Sequence, residues 1–161
     1  MPLGRQTFYG VPFQVLDPTT NGGRAIVTLR GANATPQLPE KVEGIPVGNR
    51  VRCLYFLHTA AWGNPGEPGK YVVRYEDGQT LDVPLRIPGN THNWWNGYDP
   101  SEESRPVPVR VTETGTGKPA WRYLRVWQWD NPRKDVAILS LDVVSNAGPS
   151  TPILIAVTGV R

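Results

Sequence analysis

Six tryptophans in 161 residues concentrate the chemistry of this chain. Trp94 and Trp95 adjoin, Trp121, Trp127 and Trp129 fall within nine residues, and Trp62 closes an apolar run. A flat indole can stack on the C–H face of a pyranose ring, and polar neighbours then select the orientation of its hydroxyls. The run Gly89-Asn90-Thr91-His92-Asn93-Trp94-Trp95-Asn96-Gly97-Tyr98-Asp99-Pro100 supplies both ingredients. His92, Asn93, Asn96 and Tyr98 are its donors and acceptors. Adjacent residues of an extended chain point opposite ways, so one of Trp94 and Trp95 anchors the loop and the other faces solvent. The bland alternative is a Trp-Trp plug closing one end of the fold. Trp62, before Gly63-Asn64-Pro65-Gly66, and Trp121, followed by Arg122, stand at strand ends where packing and ligand contact are both open. Trp127 and Trp129, two residues apart, share a strand face and read as packing.

Other chemistries find less support. A glycosidase needs two carboxylates across a cleft. Asp99, Glu102 and Glu103 lie in a polar loop, and nothing marks a pair among them. No Gly-x-Ser-x-Gly turn is present. His58 alternates with Leu54 and Phe56 and reads as a buried, hydrogen-bonded histidine; Cys53, in an apolar run, reads as an inert thiol. No Cys/His spacing suits a metal, and no catalytic residue is assigned. Arg110, Arg122 and Arg125 read as solvated charges, with sugar hydroxyls or carboxylates as alternative partners. The net charge is +3 without a basic run, which argues against nucleic acid as a partner, and no apolar stretch reaches transmembrane length.

The elements that must position these residues are strands. Seventeen glycines and seventeen prolines punctuate a chain that is 39% hydrophobic and 19% charged, a composition for many short elements. Apolar or alternating runs occupy Phe13–Leu16, Ala25–Leu29, Val51–His58, Tyr71–Tyr75, Thr80–Leu85, Val107–Val111, Tyr123–Trp129, Val136–Val144 and Pro152–Val160. Glu76-Asp77-Gly78-Gln79 between two of them is a hairpin signal. Residues 31 to 50, rich in proline and glycine, read as a loop, and so does the long segment from about Pro88 to Pro106. No helical period or internal repeat emerges. A single all-β domain over residues 1–161 is expected, with two packed antiparallel sheets.

Several phrases, in this order, carry a resemblance. They are Gly10-Val11-Pro12-Phe13 with Leu16-Asp17-Pro18, Leu54-Tyr55-Phe56-Leu57-His58-Thr59-Ala60-Ala61-Trp62-Gly63, Tyr71 to Leu85, Trp94-Trp95, Trp129-Asp130-Asn131-Pro132 and Pro152 to Gly159. Together the chain resembles the galactose-binding-like jelly-roll β-sandwich domains attached to bacterial polysaccharide-degrading enzymes. The resemblance implies a non-catalytic carbohydrate-binding module. Its ligand would be a polysaccharide or oligosaccharide, its partner a catalytic domain of the same parent chain, and its location extracellular or periplasmic. As an isolated domain it would be a monomer, without a cofactor. Alternatives are a structural spacer without a ligand, or a small hydrolase or lyase. Many such domains hold a structural calcium ion, for which Asp17, Asn21 and Asp142 are oxygen ligands of the right type. The ligand-binding residues expected are Trp94, Trp95, His92, Asn93, Asn96, Tyr98, Trp121, Trp62 and Arg122.

Overall fold

Alternation of buried and exposed residues builds the molecule from strands. The computed structural model describes residues 1–95, 97, 103–113 and 115–161, with eleven strands and no helix among them. In chain order these are β1 (Gly4–Phe8), β2 (Val11–Val15), β3 (Val27–Thr28), β4 (Lys41–Asn49), β5 (Cys53–Ala61), β6 (Gly69–Tyr75), β7 (Thr80–Pro84), β8 (Ser104–Thr112), β9 (Pro119–Asp130), β10 (Ile138–Ser145) and β11 (Thr151–Val160). One sheet runs β4-β10-β6-β7 and the other β3-β11-β5-β9-β8, with every pairing antiparallel. From β4 onward the chain changes sheet at every step except the hairpins β6–β7 and β8–β9, so neither sheet can form without the other. The expected all-β, two-sheet antiparallel sandwich is the fold observed.

The five-stranded sheet is buried on both faces. Leu54 and Phe56 of β5 and Trp127 of β9 face the other sheet and meet Tyr71, Val73, Leu141 and Val143. Leu57 of β5, Val107 and Val109 of β8, and Leu124 and Val126 of β9 face away from it. There they are covered by Phe13 and Val15 of the β1–β2 hairpin. Two-sided burial explains why Val51–His58 reads as a continuous apolar run rather than an alternating one. Trp127 is 8% exposed and Trp129 packs on the same inter-sheet core, as their spacing implies.

The Pro- and Gly-rich segment of residues 31–50 departs from the sequence expectation. Its second half is β4, an edge strand paired with β10 through two register shifts. Gly44 and Gly48 have φ of 74° and 64°, and Pro46 lacks an N–H. Irregularities and proline are tolerated on an edge strand, where one side of the backbone has no partner to lose. The strand-like run Ala25–Leu29 contracts to the two residues of β3, and Gly4–Phe8 adds a strand that its sequence did not signal.

Candidate functional site

The tryptophan-bearing loop is built into the five-stranded sheet. Strands β5 and β9 pair from Cys53–Asp130 to His58–Arg125 and then part. Residues 92–94 enter the fork as an extra extended segment. Ala60 N–H donates to His92 O (2.9 Å), Trp94 N–H donates to Ala60 O (2.9 Å), and Tyr123 N–H donates to Trp94 O (2.7 Å). The Asn93–Ala60 bridge is parallel. Thr59 Oγ1 lies in the fork, 3.2 Å from His92 O and 3.0 Å from Tyr123 O. Gly63 permits the close approach, because a Cβ there would sit 2.6 Å from Asn93 Cα.

His58 ties this loop to the core. It is 1% exposed and lies in a stack of rings with Phe56, Tyr71 and Trp127. Its Nε2 is 2.8 Å from Asn90 O and its Nδ1 is 2.7 Å from the Tyr71 hydroxyl. A carbonyl oxygen only accepts, so the proton sits on Nε2 and Tyr71 donates to Nδ1. Burial, with Arg125 nearby, pushes the imidazole down to about 4 although the Asn90 carbonyl favours its charged form. Asn90 is itself buried, accepting from Arg86 N–H (2.8 Å) and donating to Pro84 O (2.9 Å). The buried, satisfied histidine expected from alternation is thus an anchor of the loop. Alternation alone does not reveal that second role, which depends on the turn at Asn90.

Trp94 and Trp95 divide as the sequence implied. Trp94 packs on the hairpin-side core, whereas Trp95 is 57% exposed. The Arg122 guanidinium lies 3.3 Å from the centroid of the Trp95 ring and 5.7 Å from that of Trp94. Arg122 is 6% exposed, and its terminal nitrogens donate to Glu113 Oε1 (2.7 Å) and Trp121 O (2.8 Å). The Arg122 hydrogen bond holds the Glu113 carboxyl below its ordinary range. Arg122 therefore backs one face of Trp95 and leaves the other open. It is a support for the indole rather than a free donor, and it is not the solvated charge expected. Arg125 departs from that expectation too, being fully buried. Glu113 carried no sequence signal of its own; only the β8–β9 register brings it to Arg122.

Trp121 and Arg122 are neighbours on β9 and point to opposite faces of the strand. Trp121, 56% exposed, lies beside its cross-strand partner Arg110, whose guanidinium carbon is 6.0 Å from the ring centroid. Trp62 is 48% exposed and adopts φ 49° at the turn after β5, where its carbonyl accepts from Asn64 N–H and the Ser150 hydroxyl. Continuing the β5–β9 register puts Trp62 at about the level of Trp121, with residues 92–94 between them. Two strand spacings separate those backbones, roughly 10 Å. Three exposed indoles thus mark this end of the sheet, Trp95 on the face of Arg122 and Trp121 on the opposite face of β9.

His92 Nδ1 accepts from Asn93 N–H (2.7 Å), and Asn93 Oδ1 accepts from Trp95 N–H (3.3 Å). Both side chains therefore shape the loop that carries Trp95. Asn96 and Tyr98 lie outside the described residues, as do Asp99 and Glu102. The suggested calcium ligands are each hydrogen-bonded within the protein. Asp142 is buried against Arg74 Nε (2.7 Å) and Gly44 N–H (2.9 Å), Asp17 accepts from Thr19, and Asn21 donates to Arg24 O. Among the described residues no three His, Cys, Asp or Glu side chains converge as a metal site. Cys53 is buried, and desolvation raises its thiol. Comparison with protein-family models, curated proteins and solved structures returns no match.

Proposed function

We propose that this chain is a non-catalytic carbohydrate-binding module of the galactose-binding-like jelly-roll type, which holds a polysaccharide against a catalytic domain of its parent chain. The observation that carries this reading is the half-exposed Trp95 indole, backed by the buried Arg122 at one end of a rigid sheet where Trp62 and Trp121 are exposed as well. Large exposed aromatics are costly unless something covers them, and a flat indole backed on one side and open on the other matches the C–H face of a pyranose ring. Trp95 is held in place before any ligand arrives, by Arg122 beneath it and by the hydrogen-bonded segment 92–94. A preordered ring loses little side-chain entropy on binding. Glu113, the carboxylate beside the Arg122 that backs Trp95, is committed to an ion pair with that guanidinium, which suits a binding surface.

Affinity electrophoresis of the chain through neutral, uronic and sulfated polysaccharides identifies the ligand, and calorimetric titration then measures it. Trp95→Ala is expected to weaken binding at least about tenfold, or about 1.4 kcal/mol, with an unchanged melting temperature. Trp121→Ala, on the opposite face of β9, is expected to leave that affinity unchanged. Absence of retardation in every polysaccharide would favour a spacer domain whose indoles pack against a neighbouring domain. Unchanged affinity in Trp95→Ala would move the site elsewhere.

A further inference from the structure

We propose that the open side of the sandwich, away from Trp95, is a groove that takes an extended peptide with alternating apolar side chains and acidic ends, pairing along the free edge of β11. The groove stands independently of the glycan reading. Strand β11 runs from Thr151 to Val160, yet β3 covers its outer edge only at Ile153 and Leu154. From Ala156 to Val160 that edge has no strand partner among the described residues. Across from it lies β4, the edge strand of the other sheet. Between them is a cleft of about 1050 Å³.

The way the cleft is lined tells which occupant fits. Its walls include the consecutive residues Leu154 to Val157 on β11 and Ile45, Pro46 and Val47 on β4. Leu154 and Val157 lie on the inter-sheet side of β11, and Ile155 and Ala156, past a register shift, on the hairpin side, so the cavity touches both sides of that strand and meets it at its edge. The occupant therefore faces backbone N–H and C=O groups as well as apolar side chains. An aliphatic chain fills the space but leaves those groups without partners; an extended peptide satisfies both. Ala156–Val160 would pair with a segment of five or six residues, at about 3.3 Å each. Strand β4, twisted by Gly44 and Gly48 and interrupted by Pro46, is the poorer template, so β11 receives the peptide. Charge is complementary as well. No Asp or Glu lines the cleft, whereas Arg24 and Arg161 do, and neither has a carboxylate partner among the described residues. Arg161 donates instead to Asn49 Oδ1.

Fluorescence anisotropy tests this with a labelled eight-residue peptide that alternates valine and threonine and carries a glutamate at each end. Saturable binding is expected, with slowed amide exchange at residues 156–160. The same peptide N-methylated at alternate amides is expected to bind at least about tenfold weaker. Ile45→Trp, which fills the cleft, is expected to do likewise. The double variant Arg24→Glu, Arg161→Glu changes only exposed groups and is expected to weaken binding about fivefold without altering the melting temperature. Three results overturn the proposal: no saturable binding, equal binding of the N-methylated peptide, or displacement by dodecanoate without any change in exchange at residues 156–160. The last would make the cleft a pocket for amphiphiles.

Discussion

His58 gives the site a dependence on acid that can be worked out from one proton. In the unfolded chain an imidazole titrates near 6.5; in the folded protein burial holds this one at about 4. Above pH 6.5 neither state binds the proton, so His58 costs nothing there. As pH falls from 6.5 towards 4, the unfolded chain takes a proton that the folded state refuses, and stability declines by about 3 kcal/mol in all. The carboxyls held low, Asp77 and Asp142 by arginine pairs and Asp17 by Thr19, act in a lower window. Their contribution is present above the ordinary carboxylate range and is lost as pH falls below it. Urea midpoints measured between pH 7 and 5 should therefore fall with acid, and His58→Phe should flatten that slope while lowering stability at every pH. An unchanged slope in the variant would assign the dependence to another group. At this scale the sequence was legible wherever strand alternation decides burial, as for His58, Trp127 and the Trp94–Trp95 split. Arg122 was not legible, because its burial depends on Glu113 and on the Trp94 and Trp95 rings, which only the fold brings beside it.

The element that matters most to the proposed site is the segment 92–94, wedged where β5 and β9 part. Sequence marked it as a long polar loop, because glycine, asparagine and histidine are poor strand formers. Its backbone nevertheless bonds to both strands, since Thr59 and Ala60 present groups that β9 no longer reaches. The same blindness hid β4 behind its glycines and proline. Local propensity describes what a segment does alone, whereas an edge or an inserted strand is made by the neighbour that needs it. Gly63 tests how far the site depends on this insertion. Gly63→Ala puts a methyl carbon 2.6 Å from Asn93 Cα, and the atoms it meets belong to the backbone and Cβ of Asn93 rather than to a flexible side-chain end. The variant should lose about 1–3 kcal/mol of stability. It should also weaken glycan binding by at least as much as Trp95→Ala, although it removes no group from the surface. A Trp95 emission spectrum and glycan affinity identical to those of the parent chain would show that the segment yields without moving the indole.

At the scale of the whole molecule, the five-stranded sheet is the shared wall of two cores, and this decides how the protein unfolds. Leu54 and Phe56 belong to the inter-sheet core, and Leu57 on the same strand belongs to the core beneath the β1–β2 hairpin. A layer that shared no residues with the rest could peel away by itself, but β5, β9 and β11 carry both cores on opposite faces of one backbone. The hairpin is fastened at its ends too. The Tyr9 hydroxyl donates to Pro106 O and Thr158 Oγ1 donates to Pro12 O, each at 2.5 Å. Phe13→Ala, which empties the centre of the hairpin-side core, should therefore cost about 3–5 kcal/mol and destabilise the entire chain. With Trp94 replaced by phenylalanine in both proteins, the buried tryptophan fluorescence comes from Trp127 and Trp129 in the inter-sheet core, and far-ultraviolet circular dichroism reports on all strands. In the variant both signals should shift to the same lower urea midpoint, because loss of the wall removes both cores together. A dichroism transition that precedes the fluorescence transition would show the hairpin leaving first, and would make the sandwich stable without it.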